Sequence, residues 1–211
     1  MRERTRVDRT GEPVERLEAG GWELVEESTE TLFELSNARV EGHTRIYEDA
    51  TLRRAVREAT GVDRLCRFFF ATAVEFSPPL SSGVAPLVTS TVANEARGEF
   101  ADDLRERGFV TVDRGRTRNL RVDSGARARL TDYRAVYPIR DGDRSVDLRV
   151  RGMLAVWLDE GFRIAGGVYP ESGLGDLLAD AGGDPGVDPG ASGYQGELLE
   201  LIRATGAAPQ E

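Results

Sequence analysis

Apolar and polar residues alternate along the segment 109–169, most regularly from Val146 to Asp159. A period of two is typical of a half-buried antiparallel strand, with one face on a core and the other toward water or a partner. Turns rich in Gly and Asp at 123–125, 140–143 and 159–161 divide the segment into four such strands. We therefore expect a four-stranded antiparallel meander. Its outer face is predicted to carry Tyr133, Tyr137, Arg149, Arg151, Met153, Ala155 and Trp157.

Two further strands, at 22–35 and 38–49, are predicted upstream of the meander by similar but less regular alternation. A short helix follows them, for which Asp49 is the predicted N-cap and Gly61 the predicted end. The helix leads into a segment at 65–76 that is apolar on both of its sides. That pattern indicates a central strand covered on both faces of the sheet.

A long helix is predicted at 84–107, with apolar residues at every fourth position from Val88 to Leu104 and Leu87 beside them. Its opposite face carries carboxylates, so the apolar stripe is the natural cover for the apolar side of the meander. The fold class that follows is α+β. We expect a mostly antiparallel sheet, with the four-stranded meander in the C-terminal half of the chain, packed against one long and one or two short helices.

The two ends of the chain lack this periodicity. Residues 1–21 are rich in charge and predict a mobile arm. Residues 170–211 combine an acidic Gly/Pro/Asp linker with a short helix, which docks on its own domain or on a partner. The expected organisation is a single domain at 22–169 between two tails. The sequence has no apolar segment of bilayer-spanning length and no signal-peptide pattern, which favours a cytoplasmic protein without a membrane partner.

Charge is distributed unevenly along the chain. All 28 basic residues are Arg, and 37 acids bring the net charge to −9. The meander at 109–169 holds twelve Arg and eight acids, whereas residues 170–211 hold one Arg and eight acids. An acidic composition without Lys resembles that of proteins from salt-loving archaea; a GC-rich genome alone also replaces Lys by Arg. The meander is thus the basic part of an acidic chain.

Most arginines of the meander belong to one hairpin. The candidate ligand-binding residues are Arg114, Arg116, Arg118, Arg121, Arg127 and Arg129 on this hairpin, with Tyr133, Tyr137, Arg149, Arg151 and Trp157 on the outer face. One interpretation is a surface that binds phosphate, nucleic acid or an acidic protein, with the aromatic rings stacking on bases or on Arg. The other is pairing with acids of the long helix or of the C-terminal tail. Molar salt, where the Debye length is ~3 Å, weakens a diffuse patch more than short contact pairs.

Candidates for catalysis are few. His43 is the only histidine and Cys66 the only cysteine, so a nucleophilic pair would need these two side chains in contact. Cys66 aligns with a row of Phe residues and is interpreted as a small core residue. Neighbouring carboxylates fall on predicted solvent-facing positions. We therefore predict no catalytic residue, no metal site and no cofactor; an enzyme of unknown class would require titratable groups that converge in a cleft.

The order of elements over 22–169 resembles the Mog1/PsbP-like α/β/α sandwich, and this resemblance implies a binding or adaptor module. The phrases FFFATAVEFSPP, FADDLRERGF and AVWLDEGFRIAGGVYP are similar to uncharacterised haloarchaeal proteins. Our leading hypothesis is a non-enzymatic binding or scaffold module in a salt-adapted cytoplasm. The alternative is anion or nucleic-acid binding through the arginine hairpin. An exposed edge of the sheet would also permit a protein partner or a homodimer.

Overall fold

The computed structural model describes residues 10–35, 38–61, 63, 67–80, 83–141, 144–159, 161–172, 174–180 and 190–206. The strands in this part of the chain are β1 (Trp22–Leu35), β2 (Ala38–Asp49), β3 (Phe68–Ser77), β4 (Val110–Arg121), β5 (Arg127–Asp141), β6 (Arg144–Leu158) and β7 (Phe162–Ser172). The helices are α1 (Val14–Ala19), α2 (Ala50–Thr60), α3 (Ala85–Glu106), α4 (Leu174–Asp180) and α5 (Gly190–Ala204).

All seven strands form one sheet in the order β1-β2-β3-β7-β6-β5-β4, with every neighbouring pair antiparallel. The α+β class and the four-stranded meander β4 to β7 are confirmed. β3 lies in the middle of the sheet and is buried on both sides along Phe68–Val74 except for the half-buried Phe70, as its apolar pattern predicts. β1 and β4 form the two edges of the sheet.

One face of the sheet packs against α3; we call it the α3 face. Phe100 of α3 is central to this packing, because its ring centroid lies 5.6 Å from that of Phe70 on β3 and 4.9 Å from that of Tyr133 on β5. Gly152 on β6 leaves room for the same ring, since a Cβ at this position would lie 3.3 Å from it. The long helix therefore covers the apolar side of the meander, as the sequence predicts.

The opposite face of the sheet is covered by α5, and we call it the α5 face. Leu198 of α5 packs where Gly167 of β7 leaves space, since a Cβ on Gly167 would lie 3.0 Å from the Leu198 Cδ1 and 2.2 Å from the Phe68 carbonyl oxygen. The C-terminal helix thus docks on its own domain. Its presence corrects the prediction of an outer, solvent-facing side for β6. Met153, Ala155 and Trp157 have exposed fractions of 1%, 0% and 1%.

The N-terminal segment is also part of the domain. Residues 10–21, which the sequence assigns to a mobile arm, contain α1 and bury Leu17 in the core. Glu12 is buried too, and the Gly11 carbonyl accepts a hydrogen bond of 2.6 Å from the amide of Gly206. The boundaries predicted at 22 and 169 are therefore too narrow: the packed domain extends from Thr10 to Gly206. Residues 1–9 lie outside the described part of the chain.

Local signals along the chain have mixed outcomes. The Asp49 side chain caps α2 by accepting a hydrogen bond of 2.9 Å from the Leu52 amide, and Gly61 ends that helix with φ at +74°, as predicted. The prediction that Leu87 lies beside the buried apolar stripe of α3 is wrong, because 77% of Leu87 is exposed. The helix begins at Ala85, so Leu87 lies in its first turn.

Candidate anion-binding site

The hairpin of β4 and β5 lies at one edge of the sheet. All six of its predicted arginines are exposed: Arg114, Arg116, Arg118 and Arg121 on β4, and Arg127 and Arg129 on β5. Two register shifts interrupt the pairing of β4 with β5. Charged side chains and irregular pairing are typical of edge strands that do not add a further strand. The hairpin therefore presents side chains, rather than a free backbone edge, to whatever approaches it.

Arg114 and Arg129 of this hairpin lie near enough to Arg97 of α3 for their charges to act on it. We call these three residues the arginine cluster. Arg97 of α3 lies over β5, because its Nε donates a hydrogen bond of 3.1 Å to the Thr131 Oγ1. The hydroxyl of Tyr133 donates a hydrogen bond of 3.0 Å to the Arg97 carbonyl, which ties the helix to the strand. Helix and hairpin thus hold the cluster together from two sides.

Within the arginine cluster, Arg97 is repelled by the other two positive charges. Partial burial lowers the pKa of Arg97, and the positive charges of Arg129 and Arg114 lower it further. Such a shift means that the neighbouring side chains stabilise a positive charge poorly. A bound anion would relieve both the repulsion and the incomplete solvation of Arg97.

Polar side chains surround the cluster at hydrogen-bonding distances. The Thr117 and Thr131 hydroxyl oxygens lie 3.0 Å apart across β4 and β5. Arg97 Nη1 donates a hydrogen bond of 2.8 Å to the Asn94 Oδ1, one turn earlier on α3. These contacts orient the Arg97 guanidinium without neutralising its charge, because each acceptor is a neutral oxygen.

Pairing with an acid is seen for one of the six predicted arginines, but its partner belongs to the hairpin and not to the long helix or the C-terminal tail. Arg118 pairs with Asp132 of the neighbouring strand at 2.5 Å. Among the described residues, no carboxylate lies within ion-pair distance of the other five or of Arg97. Arg121 reaches only the Gly125 carbonyl, at 3.5 Å. The cluster and its flanks therefore carry an unneutralised positive charge on the described surface.

The predicted aromatic partners of the hairpin are corrected by their burial. Tyr133, Tyr137 and Trp157 have exposed fractions of 0%, 3% and 1%. Tyr133 packs edge-on against Phe100, and Tyr137 stacks on Phe109 with ring centroids 4.6 Å apart. Burial raises the pKa of Tyr133 to about 12. These rings are core residues and are not available to stack on a nucleic-acid base.

The last two candidates lie on β6, away from the cluster. Arg149 is exposed. Arg151 is half-buried and pairs with Glu171 of β7, with Nη2 2.5 Å from the Glu171 Oε1. Asp132, the partner of Arg118, also acts on Arg151. The structure therefore brings Arg151 near one hairpin arginine, but it places neither Arg149 nor Arg151 in the arginine cluster. It adds Arg97 instead, a residue that no local sequence pattern singles out, because its role depends on how α3 lies across β5.

His43 gives little support for catalysis. Its Nδ1 lies 2.8 Å from the Thr29 Oγ1, and its Nε2 lies 3.4 Å from a carboxylate oxygen of Glu75. Cys66 falls outside the described residues, so its interpretation as a small core residue stays a prediction. Within the described ranges, no three His, Cys, Asp or Glu side chains form a group that could hold a metal ion.

Comparison with known proteins places the chain in a family. No curated protein and no solved structure matches it, so the likeness to the Mog1/PsbP-like sandwich and to haloarchaeal proteins stays a prediction. A search for membrane-crossing helices in the described segments finds none of sufficient length and apolarity. A family model described as a domain of unknown function, DUF6517, matches residues 10–206, and the chain belongs to that family.

Proposed function

We propose that this chain is a non-enzymatic binding module whose ligand is an anion held by the arginine cluster. The observation that carries the proposal is the convergence of Arg97, Arg114 and Arg129 without a carboxylate within ion-pair distance in the described structure. Elsewhere in the domain, the buried Arg67 has two carboxylate partners. A positive cluster that the fold holds in place but does not neutralise is suited to a ligand that brings the negative charge.

Phosphate is the ligand chemistry that fits best. The planar guanidinium donates paired hydrogen bonds that match phosphate and carboxylate oxygens. The exposed Thr117 hydroxyl, which lies 3.0 Å from that of the buried Thr131, adds a donor beside the cluster. Arg116, Arg121 and Arg127 extend the positive surface along the hairpin, which favours a ligand with several phosphates. The burial of the nearby aromatic rings disfavours a mode of binding that depends on stacked bases.

A homodimer through the β4 edge is the weaker alternative. Pairing two copies of β4 would bring their unneutralised arginines together, and like charges facing each other across a strand pair are destabilising. The salt-adapted cytoplasmic setting remains part of the proposal. In that setting direct guanidinium–phosphate hydrogen bonds would persist, whereas long-range attraction is screened.

Inorganic pyrophosphate is the probe for this proposal. We expect calorimetric titration at ~0.1 M salt to show saturable binding to the wild-type chain. The variant Arg97→Gln/Arg114→Gln/Arg129→Gln should bind at least about tenfold more weakly, which corresponds to ~1.4 kcal/mol, because it loses three charge-assisted donors.

A matched control removes three exposed arginines that lie elsewhere and have no ion pair with another described residue. The variant Arg54→Gln/Arg149→Gln/Arg203→Gln changes the net charge by the same amount and should keep the wild-type affinity. Equal weakening in both variants would reduce the effect to net charge and overturn the assignment of a site. Wild-type affinity in the cluster variant would overturn it directly.

A further inference from the structure

A cleft opens on the other side of α3, between this helix and the β2–β3 part of the sheet. Its volume is about 100 Å³. Apolar side chains line its interior: Ile46, Phe68, Phe70, Val92, Phe100 and Leu154. Two threonines, Thr44 and Thr72, form a polar spot on its floor and satisfy each other through a hydrogen bond of 2.8 Å. The interior can therefore contact an apolar group, and the two threonine hydroxyls do not need a hydrogen bond from a ligand.

The cleft exists because α3 covers only part of its face of the sheet. The helix packs on β6 and β4, whereas β1 and β2 extend beyond it. Leu32 of β1 leans over Gly42 of β2, where a Cβ would lie 2.9 Å from the Leu32 side chain, and forms the far wall. The space is thus bounded by a helix on one side and by the bulged end of an edge strand on the other.

Arg107 closes one end of the cleft. It pairs with Glu26 of β1 at 3.3 Å, and its guanidinium carbon lies 5.7 Å from the centroid of the Phe68 ring. This arginine is therefore already engaged by a carboxylate and by an aromatic face. The other charged residues that line the cleft are acidic.

The remaining rim is lined with exposed carboxylates. Glu95, Glu99 and Asp103 follow one another along α3 at the mouth of the cleft, and Glu30 of β1 acts on Glu99 and Asp103 from across it. None of the four is within ion-pair distance of an arginine in the described structure. Partial burial raises the pKa of Asp103 to about 6. The positive charge of Arg107 opposes this shift in part, and the negative charge of Glu99 adds to it. The charge at the mouth of the cleft is therefore negative, with Arg107 at one end already paired with Glu26.

We propose that the cleft binds a small organic cation, an ammonium group carried on a short apolar chain. The apolar interior would take the chain, and the carboxylates of Glu95, Glu99 and Asp103 would hold the ammonium group at the mouth. A cavity of ~150 Å³ admits benzene, so a volume of about 100 Å³ takes about four carbons of an alkyl chain. The remaining carbons of a six-carbon chain would lie at the mouth, beside the carboxylates. The proposal concerns a second site, with a ligand of opposite charge, and does not depend on the arginine cluster.

Three probes of equal length and different charge test the proposal. Hexylammonium, 1-hexanol and hexanoate are titrated into ¹⁵N-labelled protein and followed by the shifts of the backbone amide signals. We expect hexylammonium to bind most tightly, with its largest shifts at the amides of Ala96, Thr72 and Asp103, followed by hexanol and then hexanoate. If hexanoate or hexanol binds as tightly as hexylammonium, the acidic rim has no role and the proposal is wrong. If hexylammonium does not saturate in the millimolar range, there is no site.

Two variants separate the rim from the interior. Glu99→Gln/Asp103→Asn should weaken hexylammonium at least about fivefold and leave hexanol unchanged, because it removes charge and keeps shape. The control Glu18→Gln/Glu58→Gln removes the same charge from exposed positions elsewhere and should leave both affinities unchanged. Ala96→Phe should abolish the binding of both probes by filling the cleft.

Thermal unfolding shows first whether each variant is folded. Should Ala96→Phe fail to fold, Ala96→Leu fills less of the cleft and should still weaken hexanol and hexylammonium together. Unchanged binding to a folded filling variant would overturn the location of the site. Pyrophosphate titration of the same variants distinguishes the two proposals, since losing the cleft should leave the arginine cluster intact.

Discussion

Arginines on the two faces of the sheet lie in opposite surroundings. On the α5 face, Arg67 is 5% exposed and pairs with Asp49 at 2.5 Å and with Glu197 at 2.6 Å. Its guanidinium carbon also lies between two rings, 4.6 Å from the centroid of Trp22 and 4.4 Å from that of Tyr194. On the α3 face, the charges of Arg114 and Arg129 repel that of Arg97, and none of the three has a carboxylate within ion-pair distance in the described structure.

The arginines on the two faces have different roles. A buried arginine must be paired, because an uncompensated charge in the interior is strongly destabilising. Arg67 therefore joins β1, the start of α2 and α5 into one unit. The arginine cluster contributes no such connection and weakens the fold slightly through repulsion. The first arrangement stabilises the fold, whereas the second is the one for which we propose a bound anion.

Replacing Arg67 by Met should have the largest effect on stability. The variant keeps most of the apolar volume and removes the charge, which leaves Asp49 and Glu197 without their partner. We expect the free energy of unfolding to fall by ~3–5 kcal/mol, the range for breaking a buried pair. Urea denaturation followed by circular dichroism measures this loss.

Arg16→Met is the control for Arg67→Met. Arg16 pairs with Glu200 of α5 at 3.5 Å, but both side chains are more than half exposed. Its replacement should lower the free energy of unfolding by less than ~1 kcal/mol, since exposed pairs contribute little. Similar losses in the two variants would contradict the view that the α5 face depends on its buried pair.

The pair of Glu12 and Arg45 tests the same principle through pH. Burial by itself would raise the pKa of Glu12, but hydrogen bonds from Thr10, Arg45 and Tyr47 outweigh it and hold that pKa below its ordinary value of 4.5. A lowered carboxyl pKa gives stability that is present above pH 4.5 and is lost as the pH falls through the value in the folded protein.

Glu12→Gln should therefore flatten part of the acid side of the stability curve. At pH 7 the variant is expected to be less stable by ~1–3 kcal/mol, because the hydrogen bonds to a charged group are lost. The difference from the wild type should shrink as the pH falls below 4.5. Urea denaturation at several pH values measures it, and a difference that is constant over the whole range would contradict the role of the Glu12 charge.

Local patterns account for the parts of the fold that could be predicted. Alternation defines β4 to β7, and the cap at Asp49 and the left-handed Gly61 depend on a few neighbouring residues. Coverage of a face depends on distant elements instead. Trp157 has the alternation of an outward residue, yet it is buried because the C-terminal segment returns to cover it. A Cβ at Gly206 would lie 3.9 Å from the Trp157 ring.

The candidate site residues also divide into those that local sequence predicts and those that depend on distant elements. The six hairpin arginines can be found in the sequence because they are close together and nearly free of acids. Arg97 cannot, since nothing around it predicts that α3 crosses β5 at Thr131. The cleft likewise depends on how far α3 leaves β2 uncovered. Its rim residues Glu99 and Asp103 have the pattern of an ordinary solvent-facing side of a helix.

Removing two charges from the arginine cluster should have the smallest effect and the opposite sign. Arg114→Gln/Arg129→Gln is expected to raise the free energy of unfolding by less than ~1 kcal/mol at low salt, because exposed like charges repel weakly through water. Salt near 1 M screens this repulsion, so it should stabilise the wild type more than the variant. Arg116→Gln/Arg127→Gln serves as the control, since these arginines do not act on Arg97. Thermal unfolding at both salt concentrations measures the effect.

A cluster variant that is less stable than the wild type would mean that these arginines support the fold, and the contrast between the two faces of the sheet would then disappear.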